Sequence, residues 1–196
     1  MSKAHDFPQV YKDLGYDLSL LGCIMLNVNS QDDQQMTDGL EDLVDQAIPE
    51  DQRYYAKDKK RFWIQGSVVN KAHVTLLYGL LRTSEEMKKH VDAVLDGAIP
   101  KSISVDHVGY FDSPYDDEPY YCIVAHLTMT DELIEANERL KFLPHINTFP
   151  GYKAHFTLAY IKKEEALRDK IIDDLNVALG ELSFKTGELD YGGNKS

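Results

Sequence analysis

An eight-residue motif occurs twice in this chain and constrains its fold more than any other feature. Residues 71–78 are KAHVTLLY and residues 153–160 are KAHFTLAY, so Lys, Ala, His, Thr, Leu and Tyr recur at matching positions. The shared core, His-x-Thr-Leu, lies in an apolar run each time. Two copies about 80 residues apart indicate a duplicated unit whose halves face each other across one site.

Each motif is predicted to be a β-strand that presents its histidine and threonine together. Residues i and i+2 of a strand point to the same face, so His73 shares a face with Thr75, and His155 with Thr157. A single histidine on an apolar strand would be interpreted as a hydrogen-bonded core or edge residue. The pairing of two such motifs favours a shared site instead.

Two imidazoles and two hydroxyls suit acid–base chemistry at a phosphate. The pKa of histidine lies near neutrality, so one imidazole can be neutral and accept a proton while the other donates one. Threonine hydroxyls can donate hydrogen bonds to the non-bridging oxygens of a phosphate. Phosphoryl transfer depends mostly on positioning and charge stabilisation, so this set needs no metal or cofactor. The sequence does not distinguish the base from the acid.

The paired motifs resemble the 2H phosphoesterase superfamily, which includes LigT-like RNA ligases and cyclic phosphodiesterases and phage enzymes that degrade cyclic oligonucleotide signals. The resemblance covers roughly residues 17–190. It implies an α+β, bilobal fold with two pseudo-symmetric antiparallel-sheet lobes, flanking helices and a central cleft. It also implies metal-independent cleavage or transfer at a phosphodiester by His73, Thr75, His155 and Thr157. Segments 1–16 and 48–66 look like additions to the simplest members and leave the substrate unassigned.

Six further residues are predicted to contact the substrate: Lys71, Lys153, Tyr152, Trp63, Phe62 and Tyr54. The two lysines precede the histidines by two positions and would raise the local positive potential. The aromatic residues near the basic run 53–61 could stack on a base. A solvated strand end for the lysines, and a surface loop anchored by one tryptophan, are the alternatives. Tyr78 and Tyr160 follow the histidines by five positions, which predicts the opposite face and core packing.

Composition narrows the class of partner. The formal net charge is −12, which disfavours long nucleic acids but permits a small nucleotide or short oligonucleotide in a locally positive cleft. No signal peptide or membrane-spanning apolar run is present, and Cys23 and Cys122 lie in apolar stretches. We therefore expect the two thiols to be buried and the protein to have no membrane contact. We also expect a monomer in the cytoplasm, or in the host cytoplasm if the protein is phage-encoded. The acidic loop 116–118 is interpreted as solvated, not as a metal site.

Hydrophobic periodicity predicts one domain at 17–190, after an N-terminal arm at 1–16 and before a flexible tail at 191–196. The predicted helices are 32–47, one opened by a capping box at 83–86, one from 130 or 131 to about 142, and 164–179. The predicted strands are 17–29, the two motifs, a hairpin of 102–112 and 120–129, and 182–189, while 62–69 is ambiguous. His107, His126 and His145 are interpreted as structural.

The sequence thus predicts a metal-independent phosphodiesterase that hydrolyses or transesterifies a 3′–5′ or 2′–5′ linkage in small cyclic nucleotide or oligonucleotide signals, as a phage anti-defence enzyme would. One alternative is a LigT-like 2′,3′-cyclic-phosphate RNA phosphodiesterase or 2′–5′ RNA ligase. Another is a protein that sequesters a nucleotide without cleaving it. A metal site on His73 and His155 would lack clear third and fourth ligands.

Overall fold

The computed structural model describes residues 21–28, 34–82, 84–147, 151–180 and 182–192. Its strands are β1 Gly22–Asn27, β2 His73–Leu80, β3 Ser102–Asp112, β4 Tyr120–Leu127, β5 His155–Lys162, β6 Ser183–Lys185 and β7 Leu189–Gly192. Its helices are α1 Gln34–Ala47, α2 Ser84–Leu95, α3 Asp131–Leu140 and α4 Glu165–Leu179. The predicted arm at 1–16, the side chains of the predicted capping box and residues 193–196 lie outside the described residues.

Two antiparallel sheets form the framework, and the α+β prediction is confirmed. Their strand orders are β2-β1-β7 and β5-β4-β3-β6. Each motif is a strand, as predicted, and each pairs with one neighbour from its own half of the chain: β2 with β1, and β5 with β4. The two sheets are therefore alike around the motifs, but one has three strands and the other has four.

The helices bury the faces that the periodicity predicts. Ile171, Leu175 and Leu179 of α4 are buried at intervals of four residues, and α4 packs on β3. Helix α3 begins after Thr130, whose side chain accepts a hydrogen bond from the Leu133 amide at 3.3 Å, and it packs on β2. Buried residues from both sheets and all four helices form one apolar cluster. None of the described helices is long and apolar enough to cross a membrane.

The single strand predicted at 182–189 is wrong, because two short strands occupy this region. Strand β6 pairs with β3, whereas β7 pairs with β1 in the other sheet. The chain crosses between the sheets at Thr186 and Gly187, whose amides donate to the carbonyls of Lys101 at 3.1 Å and Asn27 at 2.8 Å. Strand β7 also includes residues 191 and 192, which the sequence assigns to the tail.

The segment from residue 53 to residue 68 covers the outer edge of β5. The Tyr54 amide donates to the Tyr160 carbonyl at 2.9 Å, and the Tyr160 amide donates to the Gly66 carbonyl at 2.8 Å. The Val68 amide then donates to the Leu158 carbonyl at 3.0 Å. A 3₁₀ turn at Val69–Lys71 leads directly into β2, so β2 and β5 come into contact. The ambiguous region 62–69 thus protects a sheet edge and joins the two motif strands.

Candidate active site

The two histidines occupy equivalent places in the two sheets. Each is the first residue of its strand, β2 or β5. The residue before each histidine is held in the same way: the Ala72 carbonyl accepts from Val28, and the Ala154 carbonyl accepts from Leu127, both at 3.0 Å. The predicted duplication therefore extends to the backbone that positions each imidazole.

The tautomer of both imidazoles follows from their hydrogen bonds. Nδ1 of His73 lies 3.0 Å from the Lys71 carbonyl oxygen, and Nδ1 of His155 lies 2.9 Å from the Lys153 carbonyl oxygen. A carbonyl oxygen only accepts, so each Nδ1 carries a hydrogen and donates it. Nε2 is then the nitrogen that can gain or lose a proton, as acid–base catalysis requires.

Charge couples the two imidazoles. His73 is exposed, whereas His155 is partly buried. Burial lowers the pKa of His155, and positive charge on His73 lowers it further, although the hydrogen bond to Lys153 acts in the opposite direction. Strands β2 and β5 are also in contact, so the two motifs lie on neighbouring strands. The lowered pKa favours neutral His155.

A β-bulge follows each threonine and changes which side chains share its face. In β2, Thr75 is opposite Met25 and Leu77 is opposite Ile24, so Leu76 is the extra residue. In β5 the same irregularity leaves Leu158 unpaired with β4. The leucine of each His-x-Thr-Leu motif is therefore the bulge residue.

The bulges place both motif tyrosines on the face that carries the histidines, hereafter the motif face of each sheet. Tyr78 is opposite Cys23, and Tyr160 is opposite Cys122. Cys23 and Met25, two residues apart in β1, share a face, so their partners Tyr78 and Thr75 also share one. The same holds in the second sheet for Cys122 and Val124, whose partners are Tyr160 and Thr157. The prediction that the two tyrosines face away from the histidines is therefore wrong. In an unbroken strand each tyrosine would point to the face opposite its histidine, but the one extra leucine returns it to the same face.

The Cys122 thiol contacts the threonine of the second motif. Its Sγ lies 3.9 Å from Thr157 Oγ1, and it also contacts the Tyr160 hydroxyl. The thiol donates to the threonine oxygen, which leaves the threonine hydrogen available for another acceptor. Burial raises the pKa of Cys122 to about 12, so the thiol stays protonated.

The β3–β4 hairpin loop brings Tyr115 near both motif tyrosines. Burial raises the pKa of Tyr78 and of Tyr160, and Tyr115 adds to both shifts, which places it within electrostatic reach of each. The Arg61 guanidinium lies 4.0 Å from the centre of the Tyr115 ring. Tyr115 is thus near one motif tyrosine in each sheet.

The same loop is fixed by a buried carboxylate. Glu118 is 1% exposed; it accepts the Tyr54 hydroxyl hydrogen and the amides of Lys57 and Asp58, each at 3.0 Å. The pKa of Glu118 is lowered to about 2, and the hydrogen bond from Tyr54 is the largest cause. Arg61 joins the cluster through Asp117 at 2.9 Å. The prediction of a solvated acidic loop is therefore wrong for Glu118, which ties the segment after α1 to the hairpin.

The residues predicted to contact the substrate are not equally available. The hydroxyl of Tyr54 is used by Glu118, and Tyr152 packs against the core with its hydroxyl buried, which raises its pKa. Phe62 and Trp63 are 74% and 42% exposed and pack edge to face at 5.5 Å. Lys71 and Lys153 are exposed beside the histidines, whose Nδ1 atoms their carbonyls hold.

One histidine that the sequence analysis interprets as structural lies beside His155. His126, predicted as structural, is opposite His155 in the β4–β5 register, with ring centroids 6.1 Å apart. Phe111 of β3 also packs against His155 at 5.0 Å. Strand alternation puts His107 and Phe111 on one face of β3, and the strand register shows that this face adjoins His155. Within the described ranges, no three His, Cys, Asp or Glu side chains are grouped to hold a metal ion.

Comparison with solved structures gives the fold. No family model matches the chain, and no curated protein matches it. The structure of Usb1 from Kluyveromyces marxianus superposes with a TM-score of 0.55 and 14% identity, over 91% of this chain and 96% of that one. The same protein with uridine monophosphate gives a TM-score of 0.53 and 12% identity, over 92% and 97%. The chain shares this LigT-like, bilobal α+β fold.

Proposed function

We propose that this chain is a metal-independent phosphodiesterase of the 2H type that cleaves a phosphodiester in RNA or a small nucleotide. One observation carries the proposal. His73 and His155 come from different sheets, each has its Nδ1 tied to a carbonyl, and each leaves Nε2 free at a site where the charge of one affects the other. A pair of such imidazoles can transfer one proton to and one from a phosphodiester in a single event.

We assign His155 as the general base and His73 as the general acid. Burial and the nearby charge favour the neutral form of His155, whose Nε2 then accepts the proton of the attacking hydroxyl. The hydroxyl oxygen forms a bond to phosphorus, and the bond from phosphorus to the leaving oxygen breaks. Exposed His73 gives its Nε2 proton to that leaving oxygen. Each transfer is expected to contribute roughly 10²–10⁴-fold.

The two threonines complete the mechanism by stabilising the phosphate. Thr75 and Thr157 share the motif faces with the histidines, and their hydroxyls can donate to the two non-bridging oxygens. The oxygen of Thr157 already accepts the Cys122 thiol, so its hydrogen is directed elsewhere. Negative charge that develops on the phosphate would thus be stabilised by one hydroxyl donor from each sheet.

A short ligand fits the chain better than a long polyanion. The net charge of −12 opposes extended nucleic acid, and a structure with this fold holds uridine monophosphate. We therefore favour a short single-stranded RNA end, including a 2′,3′-cyclic phosphate or 2′–5′ linkage, as the substrate. Small cyclic oligonucleotides satisfy the same charge argument and are the second candidate.

The experiment is turnover in EDTA against a panel of substrates, with products identified by mass spectrometry. The panel holds a short RNA, a 2′,3′-cyclic-phosphate-ended oligonucleotide, a 2′–5′ dinucleotide, and cyclic di- and trinucleotides. Cleavage of one class, abolished in His73→Ala and His155→Ala but not in the exposed-histidine control His90→Ala, would support the proposal. Tight binding without cleavage of any member would favour the sequestering protein, and loss of cleavage in EDTA would reject the metal-independent mechanism.

A further inference from the structure

Aromatic rings extend the motif face of the second sheet beyond His155. In the strand register, His107 is opposite His126, and His126 is opposite His155, so three imidazoles lie abreast on three adjacent strands. The rings of His107 and His126 are stacked, with centroids 4.6 Å apart and planes inclined by 26°. This row leads directly away from the proposed base.

Phe111 adds a larger ring to the same surface. It lies four residues after His107 in β3, so the two share the motif face. Its ring packs edge to face against His155 at 5.0 Å and His126 at 5.7 Å. Phe111 is nevertheless 41% exposed, so much of it is open to a ligand. We call the rings of His107, Phe111 and His126 the ring platform.

A glycine leaves room for the His126 ring on this surface. Gly109 lies between His107 and Phe111 on the motif face. A Cβ built at Gly109 would lie 3.0 Å from two atoms of the His126 ring, closer than nearly all real contacts of this kind. The His126 ring therefore occupies the space that a side chain at this position would take.

The first sheet has no such surface on its described motif face. The residues of β1 opposite His73, Thr75 and Tyr78 are Asn27, Met25 and Cys23. Met25 is in turn opposite Asp190 of β7, so a carboxylate borders this side. A flat, uncharged nucleobase stacks better on aromatic rings than on the side chains of Asn27, Met25 and Asp190. The second sheet therefore suits a base better than the first sheet does.

The platform combines a neutral central imidazole with a nearby cation, which suits an uncharged base joined to a negatively charged phosphate. Burial lowers the pKa of His126 to about 4, and charge on His107, His155 and Lys153 contributes, so the central imidazole is neutral at physiological pH. His107 is paired with Asp106 at 2.7 Å. The effect of Lys153 on His126 also places a cation beside the platform, where a phosphate would join the base.

We propose that the ring platform is a nucleobase-binding subsite, on which the base of the nucleotide at the His155 side of the scissile phosphate stacks. This inference rests on the proposed function for its location. Since we assign His155 as the base that activates the attacking hydroxyl, the stacked base belongs to the nucleoside on the 5′ side of the cleaved bond. Stacking on ring faces tolerates any base, so the platform would add affinity and register without sequence preference.

Binding is tested with the His73→Ala protein, which leaves the platform intact and should not consume the ligand. The probe is a short RNA with 2-aminopurine on either the 5′ or the 3′ side of the cleavage position. We expect fluorescence quenching only for the 5′ label, and Phe111→Ala in this background should remove the quenching and weaken binding about 10-fold. Phe111→Trp should restore both. Phe142→Ala, which removes a phenylalanine that is 86% exposed elsewhere, is the matched control.

Kinetics with abasic substrates separate stacking from positioning. An abasic ribose on the 5′ side should raise KM about 10-fold in the wild type and have little further effect in Phe111→Ala. A second variant, His107→Ala, should give a smaller loss in the same direction. If Phe111→Ala instead lowers kcat while the 5′ base still matters fully, Phe111 only orients His155 and the subsite is rejected.

Failure of the proposed function is distinguishable from failure of the subsite. If the wild type cleaves no substrate but the His73→Ala protein quenches a 2-aminopurine label and Phe111→Ala removes that quenching, the subsite stands and the enzyme assignment fails. If the wild type cleaves RNA but, in the His73→Ala background, neither label is quenched, or both are quenched equally with and without Phe111→Ala, the enzyme assignment stands and the subsite fails.

Discussion

His73 and His155 are oriented by the same contact although they lie in different sheets: each Nδ1 donates to the carbonyl oxygen two residues earlier, at 3.0 and 2.9 Å. Each ring is therefore fixed by its own chain segment and not by the other ring. Removing one imidazole leaves the backbone around the other intact. The two histidines can thus be tested one at a time.

Replacing either histidine should abolish most turnover with little loss of fold or ligand binding. We expect His73→Ala and His155→Ala each to reduce kcat at least 10²-fold, because each removes one proton transfer. The double variant should not multiply the two losses, since both groups act in one step. Steady-state kinetics with ligand affinity by calorimetry checks this. His90→Ala is the control, and a double variant that retains turnover would contradict the site.

The pH dependence of turnover should follow the asymmetry between the two imidazoles. Because the pKa of His155 is lowered, it stays neutral below the ordinary histidine value of 6.5, and the acidic limb of kcat/KM should lie below that pH. Activity should also fall on the alkaline side, because the mechanism needs a protonated general acid. NMR titration should show the His155 pKa rising in His73→Ala, as the positive neighbour is lost. A flat rate profile, or an unchanged His155 pKa, would argue against the coupling.

The repeated motif predicted the two strands and, through the resemblance that it carries, the α+β class, because alternation and repetition are read directly from the sequence. The face of Tyr78 and Tyr160 could not be predicted in this way. It depends on one unpaired leucine in each strand, and a bulge is decided by the partner strand and by what packs on it.

Long-range partners account for most of the other differences. Glu118 lies among acidic neighbours in a Pro-flanked loop, which predicts a solvated side chain, but the amides that bind it come from about 60 residues earlier. The position of His126 beside His155 likewise depends on the register of three strands. The crossover at 186–187 divides an apparently continuous strand because each half finds a different sheet edge.

Asn137 should control the bulge that follows Thr75. This buried side chain of α3 donates from Nδ2 to the carbonyl of Leu76, the bulge residue, at 2.6 Å. Asn137→Ala leaves a buried carbonyl without its donor, which is expected to cost about 1–3 kcal/mol of the free energy of unfolding. Because the bulge sets the facing of Thr75 and Tyr78, kcat should fall more than ligand affinity.

Urea denaturation and kinetics on the same preparation measure both effects of the Asn137 change. The exposed neighbour Glu138→Ala serves as the control for helix α3, and it should alter neither the turnover nor the stability by a comparable amount. Full activity in a destabilised Asn137→Ala protein would mean that the hydrogen bond stabilises the fold without orienting the motif.

The two cysteines should resist thiol reagents in the folded protein. Burial raises the pKa of Cys23 to about 11 and that of Cys122 to about 12, so at pH 8 roughly one Cys23 thiol in a thousand is ionised, and fewer at Cys122. Reaction with a disulfide reagent should be slow until urea exposes both thiols. Cys122→Ser and Cys23→Ser assign the two signals, and rapid labelling of Cys122 in native protein would show that its pocket opens.

Glu118→Gln should loosen the link between the hairpin loop and the segment around Tyr54. The ionised carboxylate accepts from one hydroxyl and two amides through its two oxygens, whereas glutamine has only one acceptor oxygen and an NH2 donor in place of the other. The folded pKa of Glu118, about 2, lies below its ordinary value of 4.5, so this contribution to stability is complete above pH 4.5 and is lost as pH falls towards 2. The urea midpoint of Glu118→Gln should therefore lie below that of the wild type at pH 7, and the gap should narrow from pH 4.5 downwards. Asp116→Asn, an exposed change in the same loop, should show no such gap, and a gap independent of pH would mean that shape rather than charge holds the loop.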